Sequence, residues 1–264
     1  MKPRPASCGK TNQIQWLRLR PARSSPSARS YVPRASWAAT KRWRSTGPVC
    51  RPDYGDVVPD LPARAAQLGA LAFLLRPTYI ATEVVTAAAT TGGYSFVSDS
   101  VSKLGEVGCS EAYCSPRHAV MNGSFMGYGV LLAGGALLLA RPLGPWVTGL
   151  LVVSGVSSYA TGLAPLDQDA TLHAIAATPL FVAQPLALVL LGVRLREDRP
   201  RLARALLATG AVTAAAAIGF IVSGDRSFEA GGALERLALW PVLFGLAGVA
   251  WEHRPRRRDG QLGR

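Results

Sequence analysis

The feature that most constrains this chain is a succession of long apolar runs. Crossing the hydrocarbon core of a bilayer takes about 20 residues of helix. Residues 118–140, 145–164, 172–193, 202–223 and 234–251 are each predominantly apolar over comparable lengths, with Lys, Arg, Asp and Glu confined to their ends. A helix on the surface of a soluble domain needs a polar face, and these five runs lack one. A sixth run, residues 66–91, contains Arg76, Pro77 and Glu83. Its large aliphatic and Phe residues favour insertion by roughly −4 kcal/mol in sum, against about +5 to +6 kcal/mol for one Arg and one acid near the centre, so it is marginal as an isolated span. The sequence therefore predicts an all-α polytopic membrane protein. Its expected parts are a disordered basic N-terminal extension at residues 1–60, a six-helix transmembrane bundle at 61–253 and a basic tail at 254–264.

Charge supports this division. Residues 1–60 hold 12 Lys/Arg against 3 Asp/Glu, net +9, and the remainder holds 17 against 13, net +4. The first segment is rich in Arg, Ser, Pro and Ala and has no acid before Asp53. Such a segment buries too little apolar surface to offset its ordering entropy. It lacks the apolar stretch of a secretory signal, although a transit peptide would share its composition. A basic cytoplasmic extension, or a start site assigned too early, is the preferred reading. Trp16, Trp37 and Trp43 would suit base stacking, but no folded nucleic-acid module surrounds them, so no nucleic-acid partner is expected. With six spans, the cytoplasmic segments would be the N-terminal extension, the turn at Arg141, the loop Arg194–Arg201 and the tail from Arg254. The other side would carry only Lys103, Arg117, Arg226 and Arg236. The positive-inside rule then puts both termini in the cytoplasm of a cell-membrane protein.

This orientation gathers the chemically capable residues on the outer face. The first outer loop runs through Tyr94, Ser98, Asp99, Ser100 and Ser102 to Gly105, then Cys109, Cys114, Pro116, His118 and Asn122. The next contains Gly162, Pro165, Asp167, Asp169 and His173. In this combination and order, these residues resemble the domain-of-unknown-function 998 family of multi-span bacterial membrane proteins, over about residues 65–251. The resemblance implies six helices and a membrane location, and it implies no established activity.

Each cluster has a structural and a chemical reading. Ser98 or Asp99 would cap a short interfacial helix ending at Gly105. Alternatively Asp99, with Ser98 or Ser102, is the catalytic candidate, and His118, His173, Asp99 and Asp167 are the metal-ligand candidates. The chain has only three His, and His253 falls at the cytoplasmic end, so a His-rich metal shell is incomplete. Asp169 precedes the fourth span as a cap, with His173 spaced to pair with it at i, i+4. Asp99, Ser102, His118, Asn122, Asp167, Asp169 and His173 thus form a structural or ligand-binding outer network. Cys109 and Cys114 are expected to form a disulfide on an oxidising face.

Within the spans, Arg76, Glu83 and Gln184 are the intramembrane polar residues. Such groups face a bundle interior and find partners, and an interhelical pair is expected for Glu83, with Gln184, Glu235, Arg236, Tyr79 and Tyr159 as the polar candidates; Arg76 either pairs likewise or snorkels to the cytoplasmic face. Glycines 134, 135, 149, 155 and 162 suit close helix packing. No P-loop, dinucleotide fingerprint, HExxH or nucleophile-elbow pattern is present. The expectation is a non-enzymatic membrane bundle that interacts with lipids or a small ligand and needs no cofactor. A zinc-dependent hydrolase of lipid or amide substrates at the outer leaflet is the alternative, and a transporter is a weaker one.

Overall fold

The computed structural model describes residues 61–223 and 229–252. The expected N-terminal extension with its tryptophans, Cys8 and Cys50, the loop residue Arg226, and His253 with the basic tail lie outside the described residues.

The protein is an integral membrane protein built as an all-α bundle of six spans. The first is a composite: α1 (Leu61–Leu75), a 3-10 turn (Arg76–Thr78) and α2 (Tyr79–Ala87). Pro77 at the start of the turn lacks an N–H, which accounts for the break. The other spans are α3 (His118–Leu138), α5 (Pro145–Leu163), α6 (Ala170–Leu195), α7 (Pro200–Ser223) and α8 (Gly231–Glu252), with the short α4 (Ala140–Leu143) linking α3 to α5. All six are long and apolar enough to cross a bilayer, the shortest having 19 residues and the longest 26. Sequence neighbours pack side by side, and α1 contacts both α3 and α8, so the spans close into a ring.

The ring has two unlike halves. At the end where α1 begins, Phe73, Leu132, Leu151, Leu188, Leu206 and Leu246 meet in one apolar core, one residue from each span. At the opposite end lies the loop 88–117, and here the interior carries Glu83, Ser157, Thr161, His173, Glu235 and Arg236, all buried. Placing polar groups away from lipid and against one another is what a low-dielectric surrounding requires.

Arg236 organises this polar half. Its Nε donates to Glu83 Oε1 at 2.7 Å, and Trp240 Nε1 donates to Glu83 Oε2 at 3.0 Å. Its Nη1 donates to the backbone carbonyls of Phe96 (2.7 Å), Asp99 (3.0 Å) and Gly232 (2.9 Å), and its Nη2 donates to the Tyr94 hydroxyl. The guanidinium also lies over the Phe96 ring, 4.8 Å from its centroid. One cation therefore binds α8, α2 and the loop 88–117 together. Glu83 finds the interhelical partner expected of it.

Glycines decide the closest helix approach. A Cβ on Gly129 would lie 2.5 Å from the Gly155 carbonyl oxygen, and one on Gly155 would lie 2.6 Å from the Gly129 carbonyl oxygen. Gly135 meets Phe73 and Gly162 meets the Asn122 carbonyl just as tightly, whereas Gly134 and Gly149 face nothing within 4 Å. Gly129→Ala or Gly155→Ala should cost about 1–3 kcal/mol through overpacking, seen as a lower melting temperature in detergent. Gly134→Ala should leave it unchanged. Equal effects at the three positions would contradict this packing.

Candidate functional site

The loop 88–117 is held in place by side chains from several neighbouring elements. Gly92, with φ +87°, turns the chain in a conformation that side chains disfavour, and Thr91 pairs with Cys114 in an antiparallel bridge. Cys109 and Cys114 are disulfide-bonded. Val101 and Leu104 are fully buried and anchor the loop in the bundle. Between them, the Val101 N–H donates to Glu235 Oε2 at 2.6 Å. Ser115 Oγ donates to the Leu104 carbonyl at 2.7 Å, and Asn122 Nδ2 donates to the Gly105 carbonyl at 2.8 Å. These bonds surround a 3-10 turn, Ser102–Gly105.

The predicted site residues separate into different roles. Asp99 does not cap this turn: Oδ2 accepts the Ser95 N–H at 2.8 Å and Oδ1 pairs with Lys103 Nζ at 2.6 Å. Ser98 is exposed, and its N–H is directed at Ser95 Oγ. His118 Nδ1 bonds the Ser115 carbonyl at 2.9 Å. Asp167 accepts the N–H groups of Val107 and Gly108, the latter at 2.7 Å, and so ties the loop between α5 and α6 to the loop 88–117. Asp169 caps α6 by accepting the Leu172 N–H at 2.9 Å.

His173 departs from the expected pairing with Asp169. With the Asp169 carboxylate engaged at the helix cap, the imidazole turns inward instead. Its Nδ1 lies 2.6 Å from the Ala164 carbonyl and its Nε2 lies 2.9 Å from Ser102 Oγ. Ser102 and His173 are thus brought together across 71 residues, while Asp99 is committed to Lys103 and Asp167 to backbone amides. Among the described residues, no three His, Cys, Asp or Glu side chains gather as a metal shell.

Beneath the loop the bundle is hollow. One cavity of about 210 Å³ is bordered by Ser102, His173, Phe181, Phe220 and Glu235. Deeper in the bundle, a second of about 50 Å³ reaches Arg76, Tyr79 and Gln184. Both are lined by Ser102, Ala177, Phe181 and Glu235. Between Ala177 and Phe181 of this shared wall, α6 contains Pro179, which has no N–H to donate. The Ser157 hydroxyl of α5 inserts there, accepting the Leu180 N–H at 3.1 Å and donating to the Ala176 carbonyl.

The sequence leaves unassigned the roles of Arg236 as the central tether, Glu235 as acceptor of the Val101 N–H, Ser157 in bonding to α6 and Trp240 as a donor to Glu83. A signal for the first two existed, since two adjacent charges inside an apolar run demand interior partners.

Electrostatics in the loop follow its contacts. Burial pushes the Tyr94 phenol above its ordinary range, against the opposing Arg236 charge. Burial likewise pushes the Tyr113 phenol up to about 12. At Asp167, desolvation acts upward but is outweighed by the Gly108 and Val107 N–H bonds, so the carboxyl sits below its usual value. A depressed native value means that Asp167 stabilises the fold above the unfolded-state pKa of about 3.9, an effect lost as pH falls through the lower native value. Asp167→Asn should therefore melt below wild type at neutral pH, with the gap closing as pH falls from about 5 to 3. A gap independent of pH would contradict the assignment.

The chain belongs to the DUF998 family of proteins of unknown function, whose model matches residues 72–252. No curated protein and no solved structure matches it.

Proposed function

We propose that this DUF998 protein binds a lipid-like or small amphipathic ligand carrying an anionic group, which enters the hollow beneath the outer loop. The observation that carries this reading is Arg76. It is 4% exposed and lines the inner cavity, and its Nε and Nη1 meet no hydrogen-bond partner among the described residues. The Tyr79 hydroxyl beside it is equally unmatched. A desolvated cation without a counter-charge costs several kcal/mol, and an unsatisfied buried hydroxyl about 1–3 kcal/mol. A ligand carboxylate or phosphate oxygen would relieve both. Apolar walls at Phe125, Leu180, Phe181, Leu239 and Leu243 suit an aliphatic portion. Membrane lipids are the natural source of such a ligand, and the site needs no cofactor. A zinc-dependent reading has less support, because the acids it requires are spent on Lys103 and on backbone N–H groups.

The binding test uses purified protein with oleate or phosphatidylglycerol as probe. Either should raise the melting temperature of wild type. Arg76→Leu should raise the ligand-free melting temperature, since an unpaired buried charge is removed, and should abolish the probe-dependent rise. An undiminished rise in Arg76→Leu would overturn the reading.

The same proposal places the loop 88–117 outside the cell membrane and both termini in the cytoplasm. The basic Arg194–Arg201 loop, at the other end of the bundle, supports that orientation. In intact cells an impermeant maleimide should label Gln168→Cys but not Glu197→Cys. The reverse pattern would invert the topology.

A further inference from the structure

We propose that Ser102 and His173 are a nucleophile and its general base, and that the ligand admitted to the hollow is an acyl ester. The inference rests on the ligand-binding reading above and adds a reaction to it.

The partners of His173 fix the tautomer of its neutral ring. The Ala164 carbonyl can only accept, so the proton facing it at 2.6 Å must sit on Nδ1. The neutral imidazole then presents a lone pair at Nε2, and the hydrogen on the 2.9 Å line to Ser102 must be the hydroxyl hydrogen. Ser102 Oγ–H therefore donates to Nε2. A hydroxyl bonded to a base, whose far nitrogen is oriented by a third group, is the arrangement that activates a serine. Here the third group is a backbone carbonyl instead of a carboxylate. Glu235 lies on the wall of the same cavity.

Both side chains are held by rigid neighbours, as a reacting pair requires. Ser102 begins the 3-10 turn and follows Val101, whose N–H is fixed by Glu235. His173 lies in the first turn of α6, which Asp169 caps, and is 6% exposed. A hydrogen bond that merely fastened the loop to α6 would not need to border a hollow. Ser102 and His173 both border the cavity of about 210 Å³, opposite Phe181, Phe220 and Ile221, which offer an acyl chain an apolar wall.

The chemistry balances with water as the second reactant. Ser102 Oγ bonds to the ester carbonyl carbon as its proton passes to His173 Nε2. The ester C–O bond then breaks, and Nε2 returns the proton to the departing alkoxide, releasing an alcohol and leaving an acyl-serine. Water, deprotonated by Nε2, attacks that acyl carbon. Ser102 leaves with the proton, and a carboxylic acid is released.

The test is a fluorophosphonate probe applied to the purified full chain, with the adduct located by peptide mass spectrometry and hydrolysis of p-nitrophenyl butyrate followed in parallel. Wild type should carry one adduct on the peptide containing Ser102. Ser102→Ala should carry none, and His173→Gln should label at least tenfold more slowly and lose about 100-fold in hydrolysis, the lower end of a general base's contribution. Should those variants fail to fold, Ser102→Cys supplies the test. Its thiol should react with iodoacetamide at least tenfold faster than Cys8 and Cys50 of the same molecule. Wild type that is stabilised by oleate or phosphatidylglycerol but takes no adduct would overturn the dyad and leave the binding site standing. Loss of both responses would overturn the two readings together. An adduct that persists in Ser102→Ala, or a Ser102→Cys thiol no faster than the other two, would also refute the assignment.

Discussion

The polar half of this bundle depends on one buried ion pair. Arg236 and Glu83, 5% and 0% exposed, meet at 2.7 Å and leave few of their hydrogen-bonding atoms unmatched. In a low-dielectric interior the desolvation cost of two charges is offset only when the surrounding bonds are nearly complete. Here the Phe96, Asp99 and Gly232 carbonyls, the Tyr94 hydroxyl and the Trp240 indole complete them. The same bonds bring the loop 88–117 down onto the helices. Solving the solvation problem of Arg236 therefore also positions Ser102.

Arg76 shows the opposite condition in the same bundle. Its guanidinium is just as buried but borders a cavity, and two of its nitrogens lack the partners that Arg236 has. The contrast separates a cation that builds the fold from one available to a ligand. On α6, which lines both cavities, Ser157 of α5 accepts the Leu180 N–H and donates to the Ala176 carbonyl beside Pro179. The apolar core lies at the other end of the ring.

Much of the architecture was legible in the sequence, because span length and the absence of charge are local properties. The break in the first span was also visible as Pro77, and the cap at Asp169 as a carboxylate just before an apolar run. Partner choice was not legible. Glu83 and Arg236 are separated by 153 residues, and Ser102 and His173 by 71. Local spacing favoured a His173–Asp169 pair, but the exposed helix end took the carboxylate and the bundle interior took the imidazole. The glycines tell the same story: Gly134 and Gly135 are equivalent as letters, yet only Gly135 faces another span closely.

The central claim is that the loop 88–117 is a fixed lid on the bundle, made so by side-chain bonds, the deepest of them from buried Glu235 and Arg236. Amide hydrogen exchange of the purified full chain measures this directly. The Val101 N–H held by buried Glu235 should exchange nearly as slowly as amides inside α3 and α6. Exchange of this amide at the rate of an open chain would contradict the account.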